Sequence, residues 1–585
     1  MKRALRLIVT ATQLPQRHRL LMAVAGAGGT ATVMTAAAVG LLPEKPMQLP
    51  ADMDVVLAKR TLAASKVWQS GHGIIRATRA ACTFASNSLD YKYSLRNLEK
   101  GSPEYDKVRS KVHDRAARRI LSLCESNRGI YVKAGQFIAS VPGMPMEFRT
   151  TLSVLQDKAK HLPFSAIDKV FEEEFGKSAM EIFDQFEEEP IAAASLAQVH
   201  KAAMADGREV AVKVQYPLLD LQVAMDVQTM TLLSKGVTIL FPNFQFEWLV
   251  AEFSKNLEKE LDFLQEARNA ERVAKSLPKK TMTVPKIERD LTTSRILTME
   301  YIHGIKVDDV DSLTRAGIDS ATVAETLIEA FADMVFQQGF VHGDPHPGNI
   351  LVRPLGGVVG GGKERRRGTS PTRFELVLLD HGLYHELNEF FRVNYCRLWK
   401  SLIWFDEHEL KVASDALGAG EHFKFFPVLF TGRYFSSKST LGAGLSDDEK
   451  AKLRKELKDF SLAYIVSWFE KLPREMVVVL RVEGLIRQVA RRLGIVPRRR
   501  LVINAKYAAK GILESEIRQR RLLSWASMRA TLQFTRLMLV LRTTDFVIRA
   551  KEFYLRLLDT VAHCLHHIEM VGKQHVMPIA AAVRF

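Results

Sequence analysis

Cysteine is scarce in this chain. Its 585 residues include four, Cys82, Cys124, Cys396 and Cys564, and no two stand at a Cys-x-x-Cys spacing. Neither a zinc ribbon nor a disulfide framework is indicated. Apolar material is not lacking: 47% of residues are hydrophobic and 25% charged, which excludes wholesale disorder. The length exceeds what one core usually holds, so more than one domain is expected. Acidic residues are absent from the first 43 positions, which carry Lys2, Arg3, Arg6, Arg17 and Arg19. From Arg491 to Phe585, 18 Lys and Arg stand against 6 Asp and Glu, so the two ends carry the whole net charge of +17. A nucleic-acid enzyme places its positive field on the working domain. Positive ends around a neutral middle argue against a nucleic-acid partner and suit an anionic membrane surface. A solvated basic helical face is the other reading of the tail.

Long hydrophobic runs are rare as well. The stretch "LLMAVAGAGGTATVMTAAAVGLL", from about Leu20 to Leu42, has no charge. It reaches the ~20 residues a membrane span needs, though Ala, Gly and Thr make it weakly hydrophobic. Before it, "MKRALRLIVTATQLPQRHRL" is basic and acid-free, as mitochondrial presequences are. Residues 1–43 are therefore expected to be a targeting leader and membrane anchor, with an unstructured leader as the alternative. Near the other end, apolar residues at helical spacing alternate with Arg529, Arg536, Arg542 and Arg549. That helix would lie on a membrane or pack on the core with its arginines in water.

Glycine is missing where a phosphate loop ought to have it. Ahead of the strand-like "EVAVKV" runs "PIAAASLAQVHKA", whose small residues are Ala192, Ala193, Ala194 and Ala197. Downstream, the pieces of a phosphoryl-transfer site come in order. "VAVK" offers Lys213 for the α- and β-phosphates. The helical "EKELDFLQEARNAER" offers Glu260, Asp262 and Glu266 as counter-charges, with Asp262 and Glu266 four apart on one helix face. "LTMEYIHGI" reads as an interlobe hinge, with Glu300 and Ile302 at the nucleotide. "VHGDPHPGNILV" places Asp344 five residues before Asn349, the spacing of an acceptor-orienting aspartate and a metal-binding asparagine. "LVLLDHGLY" puts Asp380 at the end of an apolar strand as an oxygen ligand for Mg²⁺. The A-P-E signature is absent after "DHG"; the chain enters "NEFFRVNYCRLWKSLIW" almost at once, so a platform for a protein substrate is missing. Helices are expected over 105–185, around one helix inserted in a small sheet, over 320–338 and beyond 385.

Four elements make the sequence resemble the UbiB-like, or AarF-domain-containing, atypical kinases: "YVKAGQF", "AAASLAQVHKA", "ELDFLQEARNAE", and "VHGDPHPGNILV" with "LLDHGLY". The resemblance runs from about residue 90 to about 490. It implies that the alanines replace glycine, so that Ala192, Ala193, Ala194 and Ser195 form the nucleotide loop. It further implies that a helix bearing Lys133 and Gln136 folds over the place where a peptide would dock. Lys133 would pair with Glu260 and Asp262, and Glu266 with Lys213. Members of the family act in mitochondria or plastids and are linked to coenzyme Q and membrane-lipid homeostasis.

The expected fold is α+β: a two-lobed atypical protein-kinase-like fold with helical N-terminal and C-terminal extensions. Its parts are a leader over 1–43, a helical extension over 44–185, an N-lobe over 186–305, a C-lobe over 306–490 with a basic insertion at 355–373, and a basic helical region over 491–585. The expected function is an atypical kinase or ATPase at a mitochondrial membrane, binding ATP or ADP with Mg²⁺, with a small lipid as possible substrate and anionic lipid as partner. Asp344 would orient the acceptor. A protein kinase and a nucleotide-sensing scaffold without turnover are the alternatives.

Overall fold

The computed structural model describes residues 72–519 except 100, 142–143, 157–160, 218, 243–246, 278–280, 356–372, 433–446 and 452–471, together with scattered positions between 531 and 554. The leader and anchor expected over 1–43, nearly all of the basic insertion and most of the C-terminal amphipathic stretch lie outside the described residues. Among the described residues no helix is long and apolar enough to cross a membrane. In chain order the strands are β1 (Gln185–Phe186), β2 (Ala192–Ala193), β3 (Ala197–Ala203), β4 (Glu209–Gln215), β5 (Met282–Thr283), β6 (Ile296–Glu300), β7 (Ile305–Lys306), β8 (Phe340–His342), β9 (Ile350–Leu355), β10 (Arg373–Leu378) and β11 (Tyr384–Glu386). The chain divides into two compact units. The first takes residues up to Arg268 and Lys286–Tyr301; the second takes Asn269–Pro285 and continues from Ile302.

The first unit is built on an antiparallel sheet in the order β1-β3-β4-β6, with β2 also paired to β3. Strand alternation gives β4 two different faces. Val210, Val212 and Val214 are buried against Ile167, Val170 and Phe171 of the helix Phe164–Phe175. Ala211, on the opposite face, packs with Phe263 and Ala267 of the helix Phe263–Ser276. Lys213 shares that second face by the same period. Three helices, not the single one expected, separate β4 from β6: Leu219–Leu240, Glu247–Glu260 and Phe263–Ser276. The last two are separate because the chain breaks at Leu261 and Asp262. Helices His72–Ser94, Pro103–Asn127, Ile130–Ser140 and Met146–Leu152 precede the sheet. Arg76 of the first bonds the buried carboxylate of Asp226, so the N-terminal helices are tied to Leu219–Leu240 by a charged pair as well as by apolar contact.

In the second unit β5, β10, β9 and β7 form one sheet, β5 running parallel to β10, and β8 pairs with β11. Its core lies among the helices Ser320–Asp333, Glu389–Trp404, Arg474–Arg492 and Pro497–Gln519. Tyr395 and Trp399 are fully buried there, Tyr395 stacked on Phe336 at 5.4 Å and Trp399 against Phe430 at 5.6 Å. Residues expected to form a separate basic tail contribute directly to this core: Leu501, Val502, Ile503 and Ala508 are buried. Two of the tail's arginines are buried too. Arg499 makes two bonds to Glu325, at 2.6 and 2.8 Å, and Arg500 bonds Glu483 at 2.9 Å. These two positive charges are spent inside the unit and add nothing to a surface field.

Candidate functional site

The alanine-rich stretch is a hairpin. Ala192 and Ala193 pair with Val199 and Gln198, and the Ala194 amide donates to the Ala197 carbonyl at 2.8 Å to close the turn. Ser195 and Leu196 form its tip and both are buried. Leu196 sits in an apolar cluster with Ile130, Leu219, Phe253, Leu257 and Leu261. Among the described residues only Arg128 and Phe405 have positive φ without being glycine, so no position of this hairpin needs left-handed backbone. Glycine's particular freedom is therefore not required here, and alanine costs nothing in conformation.

Lys213, on β4, reaches across to the helix that covers its face. Its Nζ lies 2.9 Å from both carboxylate oxygens of Glu266, and 5.0 Å from the centre of the Phe263 ring. The Glu266 side chain is 2% exposed and that of Lys213 15%, so the pair is made where water screens it little. Asp262 does not share a helix face with Glu266. It stands before the first turn and its Oδ1 accepts from the amides of Leu264 and Gln265, at 3.0 and 3.2 Å. An aspartate is favoured at that position because it satisfies amides that have no partner inside the helix. Its other oxygen meets Arg268 at 3.3 Å.

Three positions of the Lys-Ala-Gly-Gln segment on the helix Ile130–Ser140 have a physical reason. Lys133 Nζ lies 2.6 Å from Glu260 Oε2. A Cβ on Gly135 would fall 3.0 Å from Cys124 Sγ and still closer to Leu155, so only glycine lets these helices approach. Gln136 Nε2 donates to the Leu155 carbonyl at 2.9 Å, anchoring the turn that follows. Glu300 ends β6 in the first unit and its Oε2 accepts from the Lys286 amide at 3.3 Å. The chain then passes into the second unit at Ile302, which is buried.

In the second unit, Asp344, Asn349 and Asp380 are assembled around a histidine. His342, buried at the end of β8, accepts the Asp344 amide on Nδ1 at 3.1 Å. Its Nε2 bonds the Asp380 carbonyl at 2.6 Å. An acceptor at one nitrogen and a donor at the other describe the neutral ring, and burial pushes the pKa of His342 down in agreement. One side chain thus joins the two aspartate segments. Asn349 Nδ2 donates to the Asp344 carbonyl at 3.2 Å, leaving its amide oxygen as the acceptor end. The β9–β10 ladder continues past Leu378 and Ile350 through Leu379 N to Asn349 O at 2.9 Å, which brings Asn349 and Asp380 to neighbouring strand ends. Asp380 Oδ1 accepts from the Gly382 amide at 2.9 Å. His381 is buried, bonded to Tyr384 Oη and to the Leu378 carbonyl. Its own carbonyl accepts from Asn269 at 3.0 Å.

Two features explain departures from ordinary kinase motifs. Where H-R-D kinases carry arginine this chain has Gly343, and a Cβ there would lie 2.9 Å from Leu383 and 3.0 Å from His385. After Asp380, residues 381–388 alone precede the helix Glu389–Trp404, and three of them form β11 on β8. That leaves no length for a substrate-binding activation segment. Sequence reasoning missed His342 and also Arg481, whose guanidinium stands 3.3 Å from Asp344 Oδ1. The signal for Arg481 was a single arginine inside the apolar run "VVVLRVEGLI". Among the described residues no three His, Cys, Asp or Glu side chains gather as a metal cluster. One carboxylate and one amide oxygen, Asp380 and Asn349, do fit a hard ion that completes its shell with phosphate and water.

These arrangements define the class: an atypical protein-kinase-like fold of mixed helix and sheet. Residues 154–414 match the model of the ABC1 atypical kinase-like domain. The AarF domain-containing protein kinase 1 of Xenopus laevis is 39% identical over 429 residues, covering 73% of this chain and 80% of that protein. Its mouse counterpart is 41% identical over 426 residues, covering 72% and 78%. A Dictyostelium discoideum protein named probable serine/threonine-protein kinase abkD is 38% identical over 447 residues, covering 75% of this chain and 61% of its own length. The chain belongs to the ABC1/AarF family of atypical kinases.

Proposed function

We propose that this protein is an ATP-dependent phosphotransferase or ATPase that works with Mg²⁺ at a mitochondrial membrane and passes phosphate to a small lipid or to water. The observation that carries the reading is the second unit's loop assembly, in which His342 fixes Asp344 and Asp380 together and Asn349 is bonded to Asp344. In this reading Lys213, held by Glu266, receives the α- and β-phosphates, and the Ala192–Ser195 turn lies along them. Glu300 and Ile302 face the base. Asp380 and Asn349 hold the metal, which when bound neutralises charge on the phosphate oxygens. Asp344 orients the acceptor oxygen. Phosphoryl transfer asks the protein for position and charge more than for covalent chemistry, so the fixed rotamers of these residues are the main contribution. The Lys133–Glu260 pair ties the Ile130–Ser140 helix to the end of the helix Glu247–Glu260. The short connection after Asp380 speaks against a protein acceptor, and the basic, acid-free leader supports a mitochondrial address.

The test follows γ-labelled ATP with the full chain and vesicles containing anionic lipid. Label recovered in phosphate or lipid, and lost in Asp344→Ala, supports the reading. Label on a mitochondrial protein, lost in the same variant, would favour the protein-kinase reading that the name of the Dictyostelium relative invites. No transfer at all would leave a nucleotide-sensing scaffold.

The hairpin geometry adds a prediction. Ala194→Gly gives the turn freedom it does not use, at a cost of about 0.5–1 kcal/mol in ordering it. The ratio of ATP to ADP affinity is expected to change, measured by titration calorimetry. An unchanged ratio would show that the turn does not touch phosphates.

A further inference from the structure

Among the described residues, Arg481 is the one whose charge is aimed at Asp344 from outside the matched domain. It lies on the helix Arg474–Arg492, beyond residue 414 where the family model ends. Its Nη2 stands 3.3 Å from Asp344 Oδ1, with the two side chains 18% and 31% exposed. Among the described residues this guanidinium is the only side-chain partner of the Asp344 carboxylate. The backbone on either side of that carboxylate is already fixed by His342 and Asn349. What remains undetermined without Arg481 is the rotamer of the carboxylate itself.

The arginine is not a mobile surface group. Its Nε is buried and has no hydrogen-bond partner. Leaving such a donor unmade is costly, and what the side chain gains in exchange is the contact of its outer end with Asp344. Its helix is bolted on both sides of position 481. Glu475 accepts from Asn388 at 2.8 Å, Glu483 accepts from Arg500 and Asn504, Arg487 donates to the Leu429 carbonyl at 2.9 Å, and Arg492 meets Asp308 at 2.6 Å. Neighbouring Val478 and Val482 are buried. A stem held in this way delivers the guanidinium to a fixed point.

We infer that Arg481 is a positioning residue for phosphoryl transfer: from the helix Arg474–Arg492 it fixes the rotamer of the Asp344 carboxylate and leaves Oδ2 to meet the acceptor hydroxyl. The inference deepens the phosphotransferase reading and rests on it. The consequence is that the helix Arg474–Arg492 is a working part of the site, and that displacement of this helix would release Asp344.

The experiment uses the full chain with Mg-ATP, and measures turnover, nucleotide dissociation constant and thermal midpoint for wild type, Arg481→Gln, Arg481→Lys, Asp344→Asn and the double variant Arg481→Gln/Asp344→Asn. Loss of a positioning contact lowers kcat by up to about 100-fold. Nucleotide affinity should stay within about twofold of wild type, and Arg481→Lys should recover part of the rate. Because the arginine acts through Asp344, the double variant should be no slower than Asp344→Asn alone. Multiplying losses in the double variant, or a fall in nucleotide affinity matching the fall in rate, would overturn the inference while leaving the phosphotransferase reading intact. So would an Arg481→Gln protein that turns over like wild type. Absence of turnover in wild type sinks the reading, and this inference with it.

Discussion

Asp380→Asn is expected to remove Mg-nucleotide hydrolysis to below about 1% of wild type while leaving the fold in place. The substitution is nearly isosteric. An amide oxygen can still accept from Gly382 N–H, the bond the carboxylate makes at 2.9 Å. The His342 bond runs to the backbone carbonyl of residue 380 and is untouched. What disappears is one negative charge, the carboxylate half of the Asp380 and Asn349 donor set. Metal-assisted charge stabilisation is worth several kcal/mol, and each ~1.4 kcal/mol is a factor of ten in rate. Thermal unfolding with and without Mg-ATP separates the two effects. The variant should unfold at the wild-type temperature without ligand and gain no stabilisation from Mg-ATP. Wild-type stabilisation by Mg-ATP in this variant would sink the assignment of Asp380 to the metal.

Glu266→Ala should be the most damaging single change in the first unit. Glu266 is almost fully buried and receives both bonds from Lys213 Nζ. Removing one partner of a buried pair leaves the other charge in a place that water cannot serve well, at a cost of about 3 kcal/mol. The loss should be read as faster amide exchange in β4 and in the Phe263–Ser276 helix. Nucleotide affinity should fall with it, because the lysine loses the group that points it. The double variant Lys213→Met/Glu266→Leu distinguishes fold from function. Apolar side chains of similar size refill the space, so slow exchange should return, but nucleotide binding should not. Recovery of binding in the double variant would show that Lys213 has no part in holding phosphate.

Some of this was legible in the sequence because it depends on residues close together in the chain. The strand-like "EVAVKV" that carries Lys213 is β4, Glu209–Gln215. The five-residue spacing of Asp344 and Asn349 is a local turn, and the turn is closed by the bond between them. Other features were hidden for equally physical reasons. "EKELDFLQEARNAER" has continuous helical spacing, yet it breaks at Asp262 because a carboxylate there satisfies the first amides of the next helix. Propensity cannot tell a cap from a helix residue when both positions suit the pattern. In "PIAAASLAQVHKA" alanine stands where a phosphate loop is expected to have glycine. Backbone angles show that this turn never enters the region where glycine is needed.

The sequence by itself determined the motifs, their order, the family and the charge at the two ends, since each is written in residue identity and short spacing. Only the tertiary structure decided that His342 joins the two aspartate segments, that Gly135 and Gly343 are required by approaching side chains, and that Arg499 and Arg500 are buried in ion pairs. It also decided that Arg481, 137 residues from Asp344, reaches that carboxylate. The reason is the same in every case: a partner supplied by distant chain is fixed by packing, and packing has no period in the sequence.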